Sequence, residues 1–536
     1  MYNTSCSHNK RGEKREGFRM KKLLSAILTC SLVLSLVSGA FACTTFYAGS
    51  ALTNDGSTIF ARSEDFANSQ NKLFYVSPAG NHTAGEEYSG CYGFTYTFTH
   101  DSYGYTAFRD DNGEAVEGVC PDCGQTHAHT PYEAAGTNDQ GVTVTATETL
   151  GCSEAVEAVD PYEDLGIEEA EIVTVLLSEA ANAQEALALL TGIYDTAGAN
   201  AGSGILIADP NETWYIENVT GHQYIAVKLP ADLVMVQPNM SIIGAIDLDD
   251  TDNVIASAGL MATALQAGIF VGDVEANVIN YVYSYNGDTA ANARMVNALA
   301  YLDPAYADEA SITPDAYLIT NLDDQDQITA MHTGIHPDHA VSIADVQNFY
   351  HISNIGYVRN LETHIFQLNG QTGPTDIVEW VAINDAALNV FVPYYPLLTT
   401  DVAPAYKVST ATADFVDAAP AEGISYFTTV NKWVDGQRVP VEGYKVLPAN
   451  WQDSIYWTFD ALSNLVMYGD VDEAQAAAVT DALYAKQADV NAAFAQLQSD
   501  IAAAEDTAQT ATAWSMQTAQ DVHQLAIELV NGLTAK

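Results

Sequence analysis

Cys43-Thr44-Thr45-Phe46-Tyr47-Ala48-Gly49, followed by Thr53-Asn54-Asp55-Gly56-Ser57 and then Thr58-Ile59-Phe60-Ala61-Arg62, reads as two strands joined through a turn. β-Branched and aromatic residues flank an Asp-Gly pair, and Asp-Gly accepts the positive φ that a tight hairpin turn demands. A turn centred on Asp55-Gly56 pairs residues whose numbers sum to about 111, which sets Asp65 opposite Phe46 and Arg62 opposite Gly49. Both polar groups then approach the start of the first strand.

What precedes Cys43 gives that start its meaning. Met20-Lys21-Lys22 opens a charged segment, residues 23–37 are apolar but too few to span a bilayer comfortably, and Ala40-Phe41-Ala42 has the small-x-small form of a cleavage site. Residues 1–42 are therefore expected to be an N-terminal extension and signal peptide, cut after Ala42. The chain is expected to be exported, either secreted or associated with the cell envelope. No later run of eighteen apolar residues follows, so no stable membrane insertion is expected after signal cleavage.

Charge separates the two parts sharply. Seven of the nineteen Lys and Arg but only two of the 69 Asp and Glu lie before residue 43, leaving 12 cations against 67 anions and a formal charge near −55. Such a surface repels phosphate backbones and anionic headgroups, which argues against a nucleic-acid partner.

Five cysteines follow Ala42: Cys43, Cys91, Cys120, Cys123 and Cys152. In an exported protein four of them suffice for two disulfides, with one reactive thiol left over. Cys120 and Cys123, with His127 and His129 close behind, suit either a disulfide or a zinc knuckle. True zinc sites usually space their second ligand pair further off, so a stapled loop within an inserted segment, residues 110–130, is favoured and no metal is expected. His332, His336 and His339 are interrupted by Gly334 and Pro337, which spoils a common helix face and suits a surface loop. The acidic run Asp247-Leu248-Asp249-Asp250-Thr251-Asp252 lacks the Gly at the sixth position and the acid at the twelfth that a calcium loop requires.

Further strands are expected at residues 141–149, 204–208, 213–218, 224–229, 364–368 and 377–383. Helices are expected at 169–190, 275–285 and 290–302. Mixed strands and helices argue an α+β or layered α/β body over residues 43–470. Residues 471–536 turn Ala-rich, with Leu483, Val490, Phe494, Leu497 and Ile501 on one stripe and Val522, Leu525, Leu529 and Leu533 on another; this is a helical hairpin packed on the body.

A cysteine that becomes the first residue carries two useful groups. Its α-amine has a pKa near ~7.7 to 8.0 and its thiol one near ~8.5, so one residue supplies both a base and a nucleophile for attack on an amide carbonyl. Arg62 is placed to lower the thiol pKa, and Asp65 to hold the amine.

These residues resemble the C69 peptidases, dipeptidases with an N-terminal cysteine nucleophile related to penicillin V acylase and bile-salt hydrolase. The likeness is carried by Cys43-Thr44-Thr45, Asp55-Gly56-Ser57-Thr58, Arg62-Ser63-Glu64-Asp65-Phe66, and the run from Glu133 through Gly136-Thr137-Asn138-Asp139-Gln140-Gly141 to Glu148-Thr149. It continues through Trp214-Tyr215-Ile216-Glu217, Ile246-Asp247-Leu248-Asp249-Asp250, Glu362-Thr363-His364, Trp380-Val381-Ala382 and Val392-Pro393-Tyr394-Tyr395. The resemblance implies a four-layer αββα sandwich, to which the C-terminal helical hairpin is added. It also implies hydrolysis of dipeptides or short peptides without a cofactor. By position Cys43 carries over as nucleophile, Arg62 and Asp65 as the pair beside it, and Asn138 as a substrate or turn residue. The related acylases place an oxyanion-donating Asn where this chain has Thr147 and Glu148, so backbone N–H groups are the remaining candidates there. Asn239, in Val236-Gln237-Pro238-Asn239, resembles another of their active-site amides. Two rival readings keep the same residues: an N-acyl amide hydrolase on the same fold, and a non-enzymatic binding protein lipid-anchored through Cys43.

Overall fold

The first strand, β1 (Thr44–Ala48), is buried at every position, and so is all but the first residue of the next, β2 (Thr58–Asp65). Strands covered on both faces belong to inner layers. The computed structural model describes residues 43–66, 71–111, 131–287, 289–322, 327–409, 414–434, 437–469 and 471–534. The signal-peptide reading and the Cys120/Cys123 loop fall outside them.

Two antiparallel sheets form the centre. One has six strands in the spatial order Val234–Gln237, β1, β2, Asn360–Leu368, Ile377–Ile383, Val392–Tyr394. The other has eight, in the order Val254–Ala256, Tyr224–Lys228, Thr213–Asn218, Gly202–Ala208, Thr143–Leu150, Glu133–Asn138, Tyr105–Asp110, Lys72–Ser77. The sheets face each other through side chains: His364 Nε2 meets Thr145 Oγ1 at 2.9 Å, and Thr106 Oγ1 donates to Glu379 at 2.6 Å. Helices Glu169–Glu179 and Ala183–Thr196 pack on the outside of the eight-stranded sheet, while Ile455–Tyr468 and Thr507–Thr534 lie against the far strands of the six-stranded one. This is the expected αββα sandwich.

The C-terminal hairpin consists of Glu473–Ala503 and Thr507–Thr534. Leu483, Val490, Phe494, Leu497 and Ile501 are buried as their spacing predicts, with Phe494 stacked on Tyr395 and set edge-on to Trp380. In the second helix the buried line runs through Ala519, Val522, Ala526 and Val530, and Leu525, Leu529 and Leu533 flank it.

Three expectations need correction. The β1–β2 ladder pairs Thr45 with Arg62 and Ala48 with Ile59, so each residue faces a partner four positions earlier than a two-residue turn requires. The cause is that the chain after Ala48 leaves β2: Gly49 N and Ala51 N bond to Leu233 O and Ala231 O at 2.9 and 2.8 Å, and Asn54 N to Val341 O. The tight turn survives only at the loop's end, where Gly56 has φ 78° and Asp55 accepts from Ser57 N at 3.0 Å.

The second correction concerns the single helix expected over residues 169–190, which is two helices. Ala180 is extended, and Asn182 caps the second helix by accepting from Glu185 N. In the third, residues 275–285 form a short strand, Val278–Asn280, before the brief helix Tyr281–Tyr285.

Candidate active site

Cys43 immediately precedes β1 and is 4% exposed. Arg62, on the neighbouring strand, points its Nη1 at Cys43 Sγ across 3.7 Å. The same Nη1 lies 2.7 Å from Glu169 Oε1, and Nη2 donates to Ala134 O at 3.2 Å. The guanidinium is fully buried, and Glu362 and Glu64 stand at 3.8 and 3.9 Å. A buried cation must be compensated, and here three carboxylates and a carbonyl share that task.

Glu169, the first residue of its helix, connects the site to the second sheet. Besides Arg62 its Oε1 accepts from the Tyr132 hydroxyl at 2.6 Å, and its Oε2 accepts from Glu148 N at 2.8 Å. Burial pushes the Cys43 thiol up to about 12; Arg62 and a hydrogen bond from Thr147 pull it down, and Glu169 and Asp65 push it further up. The expectation that Arg62 lowers this pKa has the right sign, but desolvation is the larger effect. Burial thus favours the protonated thiol.

Asp65 is buried at the end of β2, where Asn360 Nδ2 donates to its Oδ1. Its Oδ2 is buried with no hydrogen-bond donor in range among the described residues. Burial pushes this carboxyl up to about 7, against the lowering influence of Arg294, Asn360, Arg359 and Tyr357.

Arg294 lies in the first turn of helix Ala293–Leu302, and no sequence motif points to it. Its Nη1 donates to Cys43 O and to Thr44 Oγ1 at 3.1 Å, and its Nη2 to Pro238 O at 3.3 Å. Tyr350 adds a hydroxyl bond to Thr44 O at 3.0 Å. The Cys43–Thr44 segment is thus held from a helix 250 residues away, and no local motif signals that.

Asn239 has φ 50° and lies two residues beyond Gln237, which pairs with Thr45; continuing the ladder brings it level with Cys43. Its Nδ2 donates to Glu148 O at 3.2 Å, tying the loop after Val234–Gln237 to the strand that carries Thr147.

Asn138 has a different task. Its Nδ2 donates to Leu177 O at 3.0 Å and Ala180 O at 2.8 Å, while Oδ1 accepts from Gln140 N and Val142 N. All of its bonding capacity goes to fastening a turn to a helix end, four residues along its strand from Ala134. These bonds fit the turn half of its expected role, and among the described residues it has no hydrogen bond to Cys43.

Residues 42–419 match the profile of peptidase family C69, and the chain belongs to that family. It is 33% identical over 287 residues to the probable dipeptidase B of Streptococcus pyogenes serotype M18, covering 53% of this chain and 54% of that one. It thus spans about half the length of that relative. The probable dipeptidase of Salmonella dublin is 29% identical over 397 residues, covering 70% of this chain and 85% of that protein. Among solved structures, penicillin V acylase from Agrobacterium tumefaciens aligns over 66% of this chain and 85% of its own, with 13% identity and a TM-score of 0.29.

Proposed function

We propose that this chain is an exported cysteine peptidase that hydrolyses dipeptides or other short peptides, with Cys43 as the first residue of the processed protein. The observation that carries the reading is a buried thiol whose hydrogen-bonding neighbours among the described residues, Arg62 and Thr147, take no proton. The carboxylate of Glu169 close by is already engaged by Arg62, Tyr132 and Glu148 N. A free α-amine on Cys43 supplies what is missing, and the unpartnered Oδ2 of Asp65 suits that amine as an acceptor.

In the reaction the sulfur attacks the scissile carbonyl while the amine takes the thiol proton. The C–N bond breaks as that proton passes to the leaving amine, which leaves a thioester. Water then attacks the thioester, gives its proton to the amine, and the second product departs as the proton returns to sulfur. Arg62 stabilises negative charge on sulfur along this path.

The test is hydrolysis of a dipeptide panel, with N-acyl amino acids as competitors, by three forms: the chain beginning at Cys43, Cys43→Ala, and the chain with one residue added before Cys43. Activity is expected only in the first, and on dipeptides. Full activity in the extended form overturns the amine mechanism. A diacylglycerol adduct in the intact mass of the processed N-terminus assigns Cys43 to lipid anchoring instead.

A further inference from the structure

The cations of this acidic chain are mostly neutralised in place. Arg62, Lys72, Lys228, Lys407, Lys445 and Lys486 each have a carboxylate oxygen within 3.9 Å. Arg359, among the described residues, has none. It is half-buried, and it immediately precedes the strand Asn360–Leu368, whose first residue pairs with Asp65. Its carbonyl accepts from Phe66 N at 3.0 Å, which fixes its backbone one step beyond Asp65 on the edge that carries the site. Its Nε donates to Phe66 O at 3.4 Å, and both Nη groups lack an acceptor among the described residues. With 67 acids against 12 bases after Ala42, a carboxylate partner was readily available to the fold. Asp65 is within electrostatic range of this guanidinium, but among the described residues no carboxylate bonds to the end of the fork.

A dipeptide brings such an anion to this place. Its carboxylate carbon follows the scissile carbonyl by three bonds, so a substrate held at Cys43 carries a negative charge a few ångströms away, whereas each further residue moves that charge by about 3.3 to 3.6 Å. Arginine's planar fork matches a carboxylate bidentately. Arg294 spends its donors on Cys43 O, Thr44 Oγ1 and Pro238 O, so it holds the nucleophile's strand and leaves the binding of the anion to its neighbour. We infer that Arg359 is a specificity-determining residue that receives the free C-terminal carboxylate of the substrate and thereby sets the length of peptide accepted. The inference rests on the hydrolysis proposed for Cys43.

The experiment compares kcat/KM for one dipeptide, its C-terminal amide and the tripeptide extended by one residue, using the chain that begins at Cys43. The parent protein is expected to prefer the dipeptide over its amide by about 10- to 100-fold, the range of a charge-assisted hydrogen bond. Arg359→Gln brings that ratio towards one, mainly through KM, and Arg359→Lys retains part of it. The corresponding free amino acid inhibits the parent protein more strongly than its amide does, a comparison that needs no variant. Equal turnover of acid and amide by the parent overturns the inference and leaves the Cys43 reading standing, as does an unchanged ratio in Arg359→Gln. Failure to cleave any of the three peptides removes both.

Discussion

Arg62→Met removes the cation that, among the described residues, faces the thiol. At 3.7 Å, and with an effective dielectric of about 20, a guanidinium and a thiolate attract by roughly 4 kcal/mol. Glu169, 2.7 Å from the same Nη1, cancels part of that and leaves on the order of 1–3 kcal/mol, or about 10- to 100-fold in kcat/KM. The variant also strips compensation from Glu64 and Glu362, which burial has already pushed up to about 8 and about 7. Glu64 keeps Lys72 at 2.6 Å but both carboxyls lose the attraction of Arg62 and hold their protons to higher pH, so the loss of thermal stability is expected to be larger at pH 8 than at pH 6. The assay is dipeptide hydrolysis together with the rate of Cys43 alkylation by iodoacetamide across pH, with near-UV circular dichroism as the control for folding. Hydrolysis within twofold of the parent and an unchanged alkylation profile refute the electrostatic role of Arg62.

Two further outcomes follow from single residues. In a chain blocked before Cys43, Asp65 binds its proton up to about 7 in the folded state, against a usual value of 3.8. The stability this gives is complete below that lower value and is lost as pH rises through about 7. A free amine at Oδ2 lowers the folded value, so thermal melts from pH 4 to 7 are expected to slope less in the unblocked chain, and Asp65→Asn is expected to erase the difference. Coincident slopes of the blocked and unblocked parent chains count against the Asp65–amine contact. Asn138→Ala strands the carbonyls of Leu177 and Ala180 and costs roughly 2–4 kcal/mol of stability, while KM for the dipeptide stays where it was. A raised KM with an unchanged melting temperature would instead restore Asn138 to the substrate.

The hairpin shows how much of the site was legible locally. Its pairing is displaced by four positions from the turn-based expectation, yet Arg62 still reaches Cys43, because an even displacement returns each side chain to the same face of the sheet. Strands such as Thr213–Asn218 and Ile377–Ile383 begin and end where their β-branched and aromatic runs predict, since both are inner strands with turn residues at their ends. The helix expected over residues 169–190 breaks at Ala180 for a reason that no helical period contains: Asn138, in a strand forty residues earlier, binds the carbonyls at that point.

By itself the sequence determined the strand that begins after Cys43, the cation one strand away, and the alternation of buried runs that builds two sheets between helices. These follow from neighbours in the chain and from the periods of strand and helix. Only the tertiary structure decided that burial raises the thiol's pKa, that Glu169 shares its guanidinium, that Arg294 holds its peptide and that Arg359 has no carboxylate in salt-bridge range among the described residues. Those properties depend on desolvation and on distances between residues up to 300 positions apart, and neither quantity is written in local spacing.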